Sequence, residues 1–169
     1  MPRDWYMSLT GLGRKDLFAH FTKDFGLSLD VPRLIQDSIA MTVALAPRAT
    51  ENLAVTALLR TVSGRMPLAL VTNSEAPIAT SFLAATGLAD HFDTIVTVEE
   101  AQTPKPAPDL YLLAAGRLGI PIHLCLVLED SAQGVEAANR AGAPCLDVRE
   151  PGWADGCKGF LKALVTEVA

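Results

Sequence analysis

Apolar and polar positions follow two different rhythms along the chain, and the change falls near residue 65. Leu17, Phe18, Phe21 and Phe25 recur at helical spacing before Gly26, which predicts a helix ending there. Leu34, Ile35, Ile39 and Val43 predict a second helix, closed by Pro47. A third runs from about Arg48 through Leu53, Thr56, Ala57, Leu59 and Arg60 to Ser63-Gly64. No strand pattern interrupts this region, so residues 1–64 are expected to form a small helical subdomain. From Met66 the pattern changes. Short apolar runs at 68–71, 94–98, 124–128 and 144–148 alternate with helical patterns over about 75–86, 109–118 and 133–141. An amphipathic helix is expected over 155–168. Strand alternating with helix means a parallel sheet with right-handed crossovers. The fold class is therefore α/β, with residues 65–169 as the sheet-bearing core.

The run 124–128 stops at two acids, Glu129 and Asp130, followed by Ser131. Unbroken apolar character predicts a strand buried on both faces. Its last residues then lie at the carboxyl edge of the sheet, where open α/β folds bind ligands. Adjacent carboxylates there repel unless a cation, a donor or a proton separates them, and Mg²⁺ is a suitable cation. The alternative is that Asp130 or Ser131 caps the next helix. Thr72 ends its own strand at the same edge, where a hydroxyl can donate to a phosphoryl oxygen. Ordinary turn chemistry, with Ser74 as cap, is the other reading. Lys105 stands between Pro104 and Pro106, which restrict the backbone and aim the side chain. An ammonium there would neutralise charge near two carboxylates and a phosphate; otherwise it is an exposed lysine in a stiff loop.

Composition narrows the class. The chain has 169 residues, 50% hydrophobic and 20% charged, which fits a globular core rather than a disordered segment. A net charge of −5 argues against a partner that is nucleic acid. Cys125, Cys145 and Cys157 form no CxxC pair, so reduced core cysteines and a cytoplasmic location are expected. Neither a targeting signal nor a membrane-spanning run is evident.

Three segments stand in a fixed order: VTNS at 71–74, TPKPAPDLYLLAAGRLG at 103–119 and LVLEDSAQGVEAANRAG at 126–142. Together they resemble the haloacid dehalogenase superfamily of phosphatases and phosphomutases, in particular its β-phosphoglucomutase and phosphoglycolate phosphatase branch. The resemblance implies a Rossmann-like core beneath the helical first third, which would be a cap. It implies that Thr72, Lys105 and Asp130 are catalytic and that Thr72, Asn73 and Lys105 hold the phosphoryl group. Glu129 and Asp130 would bind Mg²⁺. Gly11-Leu12-Gly13-Arg14-Lys15 resembles the cap loop that reads the substrate, with Arg14 or Lys15 on its distal part.

One family feature is absent. The family opens with a central strand ending in Asp-x-Asp, and DxD occurs nowhere in this sequence. The strands carrying Thr72 and Asp130 are then expected either to close on each other or to be bridged by another chain, as a homodimer or with a strand-complementing partner. Two functions follow. One is a phosphate-ester hydrolase with a Mg²⁺-dependent or rearranged site, open to phosphodiesters and triesters. The other is a non-catalytic or truncated relative that binds a phosphate-bearing ligand or a partner chain. A receiver-like signalling domain shares the strand-end acids but carries them on its first strand and lacks a leading cap.

Overall fold

The computed structural model describes residues 2–8 and 13–159. The chain opens with a short helix that periodicity did not reveal, α1 (Arg3–Ser8). It docks on α2 (Arg14–Asp24) through Trp5, whose ring meets Phe21 and Phe25 edge-on at 5.5 and 5.3 Å. The Trp5 indole also donates to Asp24 at 2.9 Å. α3 (Val31–Leu45) begins where the Asp30 carboxylate accepts from the Arg33 amide, and Pro47 ends it in a single 3-10 turn. That turn delays the third expected helix: α4 runs Leu53–Val62, capped by Asn52 rather than starting at Arg48.

Strand and helix then alternate: β1 (Ala69–Val71), α5 (Ala76–Thr86), β2 (Thr94–Val96), α6 (Asp109–Leu118), β3 (Val127–Glu129), α7 (Ala132–Ala141) and β4 (Cys145–Asp147). A helical segment over 153–159 follows, and the rest of the expected 155–168 helix lies outside the described residues. All described strand pairing is parallel, in two separate pairs. Ala69, Leu70 and Val71 face Thr94, Ile95 and Val96, while Val127, Leu128 and Glu129 face Cys145, Leu146 and Asp147.

α6 ties the two pairs together. Leu110 and Ala114 pack with Val96 on one side, and Tyr111 packs with Val127, Ala137 and Ala138 on the other. Most of this core is alanine; among the described residues only Leu110 and Val96 are large side chains wholly removed from water. The expected fully buried strand over 124–128 is therefore corrected. Ile122–Leu124 form a 3-10 turn, the strand starts at Val127, and Leu128 is only half-buried. The reason is pairing. β4 offers a partner only from Pro144, whose carbonyl accepts from the Val127 amide at 2.8 Å, and among the described residues no strand pairs with the other edge of β3.

Candidate active site

The carboxyl ends of β1 and β3 meet at one buried cluster. Lys105, 7% exposed, donates from Nζ to the Val71 carbonyl at 3.0 Å, the Tyr111 hydroxyl at 2.9 Å and Glu129 Oε2 at 2.8 Å. Its ammonium also lies 4.5 Å from the centroid of the Tyr111 ring, a cation–π contact. The reading of Lys105 as an exposed loop lysine is thus excluded. Asn73 fixes the loop that delivers it: Nδ2 donates to the Lys105 carbonyl at 3.1 Å, and Oδ1 accepts from the Lys105 amide at 2.9 Å. The Asn73 side chain is spent on that clamp.

Glu129 is the acceptor at the centre. Besides Lys105, its Oε2 receives the Tyr111 hydroxyl at 2.5 Å. Its Oε1 accepts from the amides of Asp130 and Ser131 at 3.1 and 3.2 Å and from the Ser131 hydroxyl at 3.0 Å. Ser131 has a second task, accepting from the Gly134 amide as the N-cap of α7. Five donors fill the roughly four lone-pair positions of a carboxylate. Glu129 therefore offers a metal nothing unless a donor leaves, and Asp130, exposed at the same edge, is the neighbouring carboxylate. The described residues contain no group of three or more His, Cys, Asp or Glu side chains able to hold a metal ion.

The electrostatics follow from these contacts. Burial pushes the Glu129 carboxyl up, but the hydrogen bonds and charge of Lys105 and Tyr111 outweigh it and hold the group down at about 2. Burial, and then Glu129 itself, push the Tyr111 hydroxyl up, so it stays a donor. Asp130 is raised, chiefly by burial and then by its acidic neighbour.

Two contributors were not legible in advance. Tyr111 looked like one more apolar position in LYLLAA, although a buried tyrosine needs a partner for its hydroxyl. At Gly134 a Cβ would fall 2.0 Å from Glu129 Cδ and Oε2, so only glycine lets α7 approach the carboxylate.

Thr72 lies one residue past the carbonyl that Lys105 holds, and Asp130 one residue past the carboxylate it pairs with, so both stand at the same mouth. Thr72 Oγ1 accepts from the Ser74 amide at 3.0 Å, leaving its hydroxyl proton to donate. Arg14 is also engaged. It donates to Ser38 and Thr42, both at 3.1 Å, and pairs with Glu75 at 2.9 Å. That joins α2 and α3 to the start of α5. Lys15 is exposed, and Gly11 and Leu12 lie outside the described residues.

A family model for haloacid dehalogenase-like hydrolases matches residues 6–142. The chain belongs to this family. It is 36% identical over 121 residues to the fructose-1-phosphate phosphatase YqaB of Escherichia coli, covering 72% of this chain and 64% of that protein. It is 38% identical over 79 residues to the phosphoglycolate phosphatase of Escherichia coli, across 47% and 31% of the two chains. The matches thus span less than two thirds of these relatives' lengths. Among solved structures, CbbY from Rhodobacter sphaeroides in complex with phosphate aligns with a TM-score of 0.77 at 26% identity, over 86% of this chain and 69% of its own. The β-phosphoglucomutase of Clostridium difficile aligns at 0.74 with 23% identity over 87% and 69%, a likeness of fold.

Proposed function

We propose that this haloacid dehalogenase-like chain hydrolyses a small phosphorylated metabolite, with a sugar phosphate as the favoured substrate class. The observation that carries the reading is the buried Lys105–Glu129–Tyr111 cluster, which holds the ends of β1 and β3 side by side with Thr72 and Asp130 at the mouth. A cation held beside a phosphoryl group offsets its charge. To reach a phosphoryl oxygen, Lys105 gives up its bond to the Val71 carbonyl and keeps its carboxylate. The Thr72 hydroxyl donates to a second oxygen. Asn73 serves substrate binding by fixing the Lys105 loop. The helical unit, residues 1–64, acts as a cap over the core, and Arg14 or Lys15 meets the distal part of the substrate.

Mg²⁺ fits one side of this site. Asp130 is exposed at the edge, yet its carboxyl is raised first by partial burial and then by Glu129, and a cation offsets both costs of its charge. Asp130 would hold it, and Glu129 would join only by releasing the Ser131 hydroxyl from Oε1. Bound there, Mg²⁺ would screen phosphoryl charge and acidify water. The described mouth shows no second carboxylate free to attack phosphorus, so a metal-activated water or a rearranged site is the route, and an open mouth extends to phosphodiesters and triesters. Relatives named for fructose 1-phosphate and phosphoglycolate supply the first substrates to test. A cytoplasmic setting and a homodimer complete the proposal.

The test is turnover of p-nitrophenyl phosphate, its diester and triester analogues, fructose 1-phosphate and phosphoglycolate, with Mg²⁺ and with chelator. Metal-dependent turnover that is lost in Asp130→Ala and Thr72→Val, both folded, is expected. Turnover indifferent to both substitutions overturns the site. A folded chain that binds phosphate but turns nothing over establishes the second reading, a non-catalytic phosphate binder.

A further inference from the structure

The ion pair between Arg14 and Glu75 lies beside the mouth. Glu75 is the N-cap of α5, three residues beyond Thr72, so the two Cα atoms are at most about 11 Å apart. The Ser74 amide, bound to Thr72 Oγ1, tightens the turn between them. From α2, Arg14 spends three of its five N–H groups on Ser38, Thr42 and Glu75. Both charged side chains are largely shielded, at 21% and 14% exposure, so water screens the pair little. A second carboxylate stands with them: Glu99 accepts from the Ala76 amide at 3.0 and 3.2 Å. Pro77 has no N–H to offer, and the Ile78 amide donates to the Glu75 carbonyl at 2.9 Å. A helix start ordinarily draws an anion. The start of α5 instead carries two carboxylates against one guanidinium.

We propose that Glu75 is a specificity-determining residue: it restricts this end of the mouth to phosphomonoesters whose far end is uncharged and bears hydroxyl groups, and turns away those with a second anionic group. The inference rests on the phosphatase reading for the place of the reacting phosphoryl group at Thr72, and deepens it by naming the other end of the substrate. A hydroxyl suits both halves of the ion pair, because its proton donates to the carboxylate and its oxygen accepts from the guanidinium. An ionised phosphate or carboxylate offers acceptors alone. It matches only Arg14, and to reach that side chain it must displace Glu75. Displacement strips a shielded carboxylate of its cation and sets two anions side by side. Arg14 therefore reads the substrate through hydrogen bonds rather than through net charge. By this argument the polyol end of fructose 1-phosphate is accepted and the carboxylate of phosphoglycolate is not.

The test compares fructose 1-phosphate with fructose 1,6-bisphosphate, which differ only in the second phosphate, on the full 169-residue chain. Affinity is measured by calorimetry with chelator present, and kcat/KM with Mg²⁺. The monophosphate is expected to bind tighter by about tenfold. Glu75→Gln is expected to move that ratio by about tenfold toward the bisphosphate. Glu75→Asp, which keeps the charge, is expected to keep the preference. A merely structural role would weaken both ligands alike. High salt is expected to narrow the native ratio, since screening acts on charge and not on hydroxyl hydrogen bonds. Should Glu75→Gln fail to fold, Glu99→Gln takes its place, with a shift in the same direction expected. Equal native affinity for the two ligands, or a ratio unmoved by the charge-removing variant, overturns the proposal. The expected preference in binding without any turnover overturns the phosphatase reading and upholds the charge selection; turnover of both ligands at equal kcat/KM does the reverse. A chain that binds neither ligand overturns both.

Discussion

Replacing Lys105 by methionine separates the ion pair from its packing. Both partners are almost wholly buried, Lys105 at 7% and Glu129 at 8% exposure, so solvent screens the pair little. Removing one member of such a pair strands the other charge, at about 3–5 kcal/mol. Glu129 keeps four donors, from Tyr111, the Asp130 amide and both groups of Ser131, which places the loss near the lower end, about 3 kcal/mol. With a urea dependence of about 1–3 kcal/mol per molar, the unfolding midpoint drops by about 1–3 M. The pH dependence is the sharper readout. In the native chain the Glu129 carboxyl is depressed from 4.5 to about 2, so its contribution is complete above the unfolded value and is lost as pH falls toward 2. Without the ammonium, burial dominates and the folded value rises, so the variant is penalised most at neutral pH and relieved in acid. Asp130, which Lys105 also lowers, moves the same way. The gap between the two proteins is therefore expected to be widest at pH 7 and to narrow toward pH 3. Lys105→Met combined with Glu129→Gln is expected to recover most of the lost stability at neutral pH. A gap that stays constant between pH 7 and pH 3 refutes the reasoning.

Gly134→Ala is expected to cost about 2–3 kcal/mol, against the gain that alanine brings to an exposed helix interior. The new Cβ meets a carboxylate pinned by five donors rather than the loose end of a flexible side chain; thermal unfolding at or above the native midpoint would show that Glu129 moves freely. Arg14→Met is expected to cost about 2 kcal/mol, because its pair with Glu75 is largely shielded at 21% and 14% side-chain exposure. Arg33→Met breaks a pair exposed at 70% and 57% and is expected to cost under about 0.5 kcal/mol. Equal losses in urea titrations of the two variants would remove any special role for Arg14 in joining the helical unit to the core.

The site was legible in part. Thr72, Lys105, Glu129 and Asp130 could be picked out because each follows a strand run or flanks a helix start, and the order of such residues is local information. What each side chain touches was not local. Lys105 looked free between its prolines, yet all three of its donors are used, by Val71, Tyr111 and Glu129. Asn73 and Lys105 are 32 residues apart, and only the parallel packing of the β1 end against the following loop pairs their amides. Glu129, read as half of an acidic metal pair, is the acceptor that anchors the cluster.

The sequence by itself determined the element types and their order. A period near 3.6 through residue 62 and short apolar runs after 66 are properties of neighbouring residues, and backbone geometry turns them into helix or strand with little choice. The absence of DxD was likewise plain from the sequence. Only the tertiary structure decided that the four described parallel strands stand as two pairs and that one lysine holds the ends of both. Strand pairing depends on which edges meet in space, and hydrophobic pattern is silent about that because every apolar run looks equally willing to be central. Leu128 shows the difference: its pattern called for a strand covered on both sides, yet it is only half-buried, and among the described residues β3 pairs with β4 alone.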